Sequence, residues 1–97
     1  MDNSLDPNLK LKITIKKPEA TLFEGSVTAV TSYSNKGKFD VLAYHTNFIA
    51  LIKEEVIIYQ DNKKPQIFPI DSGVMKVAGN VIKIILGVET KKPTSKV

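Results

Sequence analysis

A single imidazole, His45, limits the chemistry open to this chain. A serine nucleophile would need His45 as its base and a carboxylate behind it. Asp40 lies near in sequence, but no Gly-x-Ser-x-Gly elbow accompanies the pair, and Ser72-Gly73 reads as a turn. A zinc site draws three or four ligands from histidine, cysteine and carboxylate. One histidine, no cysteine and scattered acids do not supply them, so no metal is expected. Glu54 and Glu55 are adjacent, and on a strand they point to opposite sides. They cannot form the facing carboxylate pair of a glycosidase. No P-loop, GxGxxG or CxxC motif is present. These residues predict no catalytic centre and no cofactor. The stretch Gly37–Lys53, GKFDVLAYHTNFIALIK, instead joins His45 to the apolar run Phe48-Ile49-Ala50-Leu51-Ile52. That composition suits a surface made to be touched. His45 itself admits three readings: a loop surface residue, a half-buried ring satisfied by backbone, or a partner contact.

The elements that must position these residues are short strands. The chain has 97 residues, enough for one domain with one core. Hydrophobic residues make up 42% of it, and apolar runs are too short to span a bilayer. The start, MDNSLDPNLK, has neither the charge nor the apolar stretch of a secretory signal, so export is not expected. The net charge is +4, and every basic residue is a lysine, three of them in the last seven residues. Arginine is the residue that forks onto phosphate and guanine, and its absence argues against sequence-specific nucleic-acid binding.

Residues 1–8 read as a loose start. Leu9, Leu11, Ile13 and Ile15 alternate with Lys10, Lys12, Thr14 and Lys16, which predicts a half-buried strand. Thr21–Glu24 and Ser26–Tyr33 follow as strands around Gly25, which reads either as a positive-φ position or as an ordinary turn glycine. Val27 and Val30 are three apart, so a bulge or bend between them is needed to turn both inward. Ser34–Lys38 is a turn, Phe39–Leu42 a strand and Ala43–Asn47 a loop. Phe48–Lys53 and Val56–Gln60 read as two strands separated by an exposed Glu54-Glu55 turn. Asp61–Pro65 is a hairpin loop. Gln66–Ile70 is a strand that Pro69 restricts to an edge or bend. Asp71-Ser72-Gly73 reads as a turn, Val74–Val77 as a strand, Ala78-Gly79-Asn80 as a reversal and Val81–Leu86 as a central strand. Val88–Thr90 is a last extended piece, and residues 91–97 are a basic tail. No apolar pattern keeps helical spacing for three turns. The expectation is an all-β fold, a flattened sandwich or barrel of about ten short strands over residues 9–90.

Taken in order, these segments resemble the N-terminal β-sandwich domain of the epsilon subunit of rotary ATP synthases, called delta in mitochondria. The family opens with a strand such as LKIVTPE, then TLFEGEV, a GEFG turn, LPGHAPLLTALKPG, a Ser-Gly-Gly stretch before LEV, and NKVTVLADTA. Here Leu11-Lys12-Ile13 to Glu19 fits the first, and Thr21-Leu22-Phe23-Glu24-Gly25 with Val27 fits the second. Gly37-Lys38-Phe39-Asp40 stands at the turn. Leu42-Ala43-Tyr44-His45 with Ile49–Lys53 stands at the fourth, and Ser72–Val77 with Asn80–Thr90 completes the set. The resemblance runs from about Leu9 to Thr90.

The resemblance implies a ten-stranded sandwich without catalytic function, placed at the foot of a rotor. It would join the gamma subunit to the c ring and help couple ion translocation to ATP synthesis. Carried over by position, Lys36, Gly37 and Lys38 would face the ring. His45, Thr46, Asn47, Phe48, Ile49 and Ala50 would face gamma. The expected setting is cytoplasmic, peripheral to the inner membrane, without direct insertion into it, with the isolated chain a monomer. Departures are visible. The acidic turn residues of the family are Lys36 and Lys38 here, and its Pro-Gly before the histidine is Ala43-Tyr44. Its Lys-Pro-Gly is Lys53-Glu54-Glu55, and the second glycine of Ser-Gly-Gly is Val74. Many members continue into a C-terminal helical hairpin, and no helical segment is read up to Val97, so neither an inhibitory arm nor a nucleotide site is expected. Two other readings compete. One is a basic β-barrel binding single-stranded nucleic acid through Tyr33, Tyr44 and Phe39, if they share a face. The other is a carbohydrate module, which the lack of tryptophan disfavours.

Overall fold

The alternation of Leu11, Ile13 and Ile15 with Lys12, Thr14 and Lys16 produces the first strand, β1 (Leu11–Lys17). Its three apolar side chains are buried, while Lys12 and Lys16 are exposed. The structure is a computed structural model that describes residues 10–87. Within them follow β2 (Ala20–Val27), β3 (Ala29–Ser34), β4 (Gly37–Leu42), β5 (Phe48–Tyr59), β6 (Gln66–Ala78) and β7 (Val81–Leu86). They form one sheet in the order β2-β1-β7-β6-β5-β3-β4. All neighbours are antiparallel except β1 and β7. The internal place expected for Val81–Leu86 is observed. The expected loose start, the strand Val88–Thr90 and the basic tail lie outside the described residues.

Of the ten expected strands nine fall among the described residues, and these number seven because two expected turns are absent. Glu54-Glu55 lies inside β5, and Asp71-Ser72-Gly73 lies inside β6. The turn-like residues there mark a shared kink. Lys53 pairs with Ser72 and Glu54 with Ile70, which leaves Asp71 as the extra residue of a bulge. Glu54 takes a left-handed conformation, with φ 74°. The bulge reverses which side chains of β6 face inward. Before it Phe68 and Ile70 pack on the core, and after it Gly73, Met75 and Val77 are buried.

The kink folds the sheet into two layers that share its longest strands. The first half of β5 joins the second half of β6, then β7, β1 and β2. The second half of β5 joins the first half of β6, then β3 and β4. Their inner faces meet in one cluster of buried aliphatic residues drawn from all seven strands. Two edge-to-face aromatic pairs bridge the layers, Phe23 with Phe68 (centroids 6.1 Å apart) and Phe39 with Phe48 (5.8 Å). Pro69 is tolerated because β7 pairs with β6 only from Gly73 onward, so the first half of β6 has a free side.

Gly73 fills the tightest point of the fold. It pairs with Ile52 on one side and Leu86 on the other. A Cβ built there would lie 2.8 Å from Leu86 Cδ2 and 2.9 Å from the Ile85 carbonyl oxygen. Gly25 fits neither of its expected roles. It sits within β2 opposite Ile13 and is not among the positive-φ glycines. The bend expected between Val27 and Val30 is present at Thr28, and both valines are fully buried. Thr28 donates both its backbone N–H (2.8 Å) and its hydroxyl (3.0 Å) to the Tyr59 carbonyl. Ser32, also fully buried, donates its hydroxyl to the Glu55 carbonyl (2.8 Å) and so avoids an unpaired polar group in the core.

Candidate interaction surface

The β3–β4 hairpin carries Lys36, Gly37 and Lys38 at its tip. Ser34 pairs with Gly37 across the two-residue turn Asn35-Lys36. The Ser34 hydroxyl accepts the Lys36 N–H at 3.1 Å. Gly37 closes the turn at φ 112°, a conformation other residues rarely adopt. All three tip residues are exposed.

The second set, His45 to Ala50, begins in the loop between β4 and β5. Tyr44 turns the chain with φ 67°, a left-handed conformation that costs a non-glycine residue about 1–2 kcal/mol. It stands where the resembled family has glycine, so the corner persists without that residue. His45 donates its backbone N–H to the Leu42 carbonyl (3.0 Å). Its Nδ1 lies 2.8 Å from the Thr46 carbonyl, which can only accept, so Nδ1 donates there. The ring packs on Phe48 with centroids 5.1 Å apart. His45 is thus half-buried and backbone-satisfied.

Two asparagines tie this loop to the β6–β7 hairpin. Asn80 Oδ1 accepts the Tyr44 N–H at 2.7 Å, and Asn47 Oδ1 accepts the Gly79 N–H at 2.9 Å. The ties are reciprocal: each segment lends one asparagine to the other. Sequence reading missed this use of Asn80, whose only signal was its place in a turn. Replacing Asn80 by alanine should cost about 1 kcal/mol. Hydrogen exchange should show the Tyr44 amide losing protection in that variant while amides of β1 and β7 keep theirs.

The structure brings the two sets together. Ser34, Lys36, Gly37, Lys38 and Phe39 of the hairpin and His45, Phe48 and Ala50 line one open groove of about 290 Å³. Its floor is the Phe39–Phe48 pair with the imidazole beside it, and its rim carries two lysines. The run His45–Ala50 is divided by the strand it enters. Phe48 and Ala50 face the groove, whereas Ile49 points to the outer side of the sheet. Thr46 is exposed, and Asn47 is engaged by its tie. The aromatics of the nucleic-acid reading do not share a face. Phe39 pairs with Ser32 and Tyr33 with Lys38, neighbouring positions on opposite sides of the sheet.

The fold and this end of it define a class: a small two-layer β-sandwich that presents a loop, a hairpin tip and an aromatic groove to other molecules. The family model described as ATP synthase, Delta/Epsilon chain, beta-sandwich domain matches residues 10–88, and the chain belongs to that family. An ATP synthase epsilon chain from Caulobacter vibrioides is 30% identical over 76 residues, covering 78% of this chain and 88% of that one. Another from Nitratiruptor sp. is 38% identical over 72 residues, covering 72% of this chain and 55% of that one. Other epsilon chains are matched over little more than half their length. Among solved structures, the mitochondrial ATP synthase of Euglena gracilis contains a chain with TM-score 0.75 and 20% identity, covering 80% of this chain and 51% of that chain. The central stalk and c-ring structure of the Tetrahymena thermophila enzyme gives TM-score 0.65 and 16% identity, covering 79% and 63%. The two structures agree on the fold. The expected standing as a non-catalytic ATP synthase subunit agrees with the family and with the names of these relatives.

Proposed function

We propose that this domain acts as a passive bracket in the central stalk of a rotary ATP synthase, joining the gamma subunit to the c ring so that ion flow turns the stalk. The observation that carries the reading is the convergence of Lys36, Gly37 and Lys38 with His45, Phe48 and Ala50 on one groove, in a chain of the delta/epsilon family. Gamma would take the side formed by His45, Phe48 and Ala50, where an aromatic floor offers apolar contact. The ring would meet the hairpin tip, where Lys36 and Lys38 suit acidic or neutral loops. A bracket must transmit torque without deforming, and interdigitated layers pinned by aromatic pairs resist shear. The chain would then sit at the membrane as part of the complex, peripheral to the inner membrane, and be monomeric when isolated.

The test is association with the gamma subunit of the same organism. The two should co-elute at micromolar concentration, and Phe48→Ala should weaken the complex at least about tenfold, or about 1.4 kcal/mol. No co-elution, or a Phe48→Ala complex of unchanged affinity, would overturn the assignment of this side to gamma.

A further inference from the structure

The outer face of β2, β1 and β7 carries a cavity apart from the groove. Cross-strand partners share a face, so the register defines what meets there. Glu24, Thr14 and Lys83 stand side by side across the three strands. In the next row Thr21, Lys16 and Ile85 do the same. Glu24 and Thr21 are three apart in β2, and a regular strand would turn them to opposite sides. The register shifts between Ile15 and Lys16, so Leu22 is the extra residue of a bulge and both side chains reach the outer face. These six residues line a cavity of about 380 Å³. Small-ligand pockets span roughly 300–1,000 Å³.

Its shape follows from side-chain length. Thr14 and Thr21 are short and leave a hollow, and the longer Glu24, Lys16 and Lys83 stand around it. Neighbouring strands lie about 4.8 Å apart and successive outward residues about 7 Å apart. The bases of Lys16 and Lys83 are therefore about 8 Å apart, and Glu24 stands about 10 Å from Lys83, across Thr14. Among the described residues the ion pair formed is Lys10 with Asp61, so Glu24 is joined to neither lysine. The cavity thus offers two ammonium groups and, on its far wall, one carboxylate, above a floor with threonine hydroxyls. We propose that it binds a small amino-dicarboxylate, the class of free glutamate and aspartate. The two ligand carboxylates would lie on Lys16 and Lys83 and its ammonium on Glu24.

The signs of the three charges select that class. A bare phosphate would satisfy both lysines but meet Glu24 as a like charge. A divalent cation would find one carboxylate beside two ammonium groups. A simple dicarboxylate would leave Glu24 without a partner. An amino-dicarboxylate opposes one charge of the right sign to each of the three side chains. All three are exposed, and exposed ion pairs are individually weak, so the affinity belongs in the millimolar range. No residue of the groove takes part, so the proposal stands independently of the bracket role.

The experiment titrates the isotope-labelled protein with L-glutamate, with glutarate, which lacks the ammonium group, and with inorganic phosphate. Ionic strength is held constant, because exposed charges are screened by salt. L-Glutamate should shift the amide resonances of Thr14, Lys16, Thr21, Glu24 and Lys83 with saturation at millimolar concentration, while Lys36 and Gly37 in the groove stay in place. Glutarate should bind at least about fivefold more weakly. The K16Q/K83Q double variant should lose at least about tenfold in affinity for L-glutamate. Glu24→Gln should bring L-glutamate and glutarate to the same affinity, a loss of preference that general damage to the fold would not produce. Absence of saturable shifts, equal binding of L-glutamate and glutarate by the unaltered protein, or shifts confined to other residues would overturn the proposal. Tighter binding of phosphate than of L-glutamate would overturn it too and leave a plain anion site.

Discussion

Gly73→Ala should lower the stability of the domain by about 2–3 kcal/mol, the cost of forcing atoms into a packed core. The new methyl would meet the Leu86 side chain at 2.8 Å and the Ile85 carbonyl oxygen at 2.9 Å. A side chain can swing aside, but the carbonyl belongs to the β6–β7 ladder and can yield only by moving the strand. Gly25→Ala is the control. Its added methyl would have Phe23 as nearest neighbour at 3.4 Å, an ordinary contact, and the loss of glycine's freedom in the unfolded chain favours folding. Thermal melts should separate the two clearly, because in a domain of this size about 1 kcal/mol shifts the midpoint by roughly 4–8 °C. Equal midpoints for the two variants would show that β6 does not pass between Ile52 and Leu86 as described.

Ile84→Ala should cost still more, in the range of about 2–5 kcal/mol for truncating a buried aliphatic side chain. Ile84 has no exposed surface and stands between Ile15 of β1 and Met75 of β6. Both neighbours are held in their own ladders, so the cavity cannot close cheaply. Ile85→Ala, one residue on, removes the same atoms from the outer face and should cost under about 1 kcal/mol. Denaturant midpoints of the pair report the inward and outward faces of β7 directly. A similar loss from both would mean that the outer face is more deeply covered than its exposure indicates.

Alternation carried most of the fold in the sequence. β1 and β7 were legible because each alternates inward and outward residues along its length, and the Val27-to-Val30 spacing demanded the bend found at Thr28. What sequence reading could not show is that β5 and β6 run on through Glu54-Glu55 and Asp71-Ser72-Gly73. Polar residues and a glycine mark a turn and a bulge alike, and only pairing across the two strands separates the cases. The candidate surface was legible as two separate sets. Their convergence depends on contact between Phe39 and Phe48, which lie on different strands, and no local pattern encodes it. Ile49 lies on the opposite side of β5 from Phe48 and Ala50, as the alternation of a strand requires. The asparagine ties were invisible for a similar reason: Asn47 and Asn80 are far apart in sequence, and each looks like an ordinary loop residue.

The parallel pairing of β1 with β7 has a bearing on how the domain comes into being. β1 pairs with β2 as soon as that strand is made, but with its parallel neighbour only when Ile85 is available, since Lys12 to Lys16 align with Val81 to Ile85. Such distant pairing must close nearly the whole chain before it is rewarded, and it slows folding toward the millisecond-to-second range of β-rich domains. Until β7 has been made, β1 is paired with β2 on one side only, and Lys12 and Lys16 keep that hairpin soluble. Among the described strands, β7 is the one that joins the β1–β2 hairpin to β6 and so locks the layer.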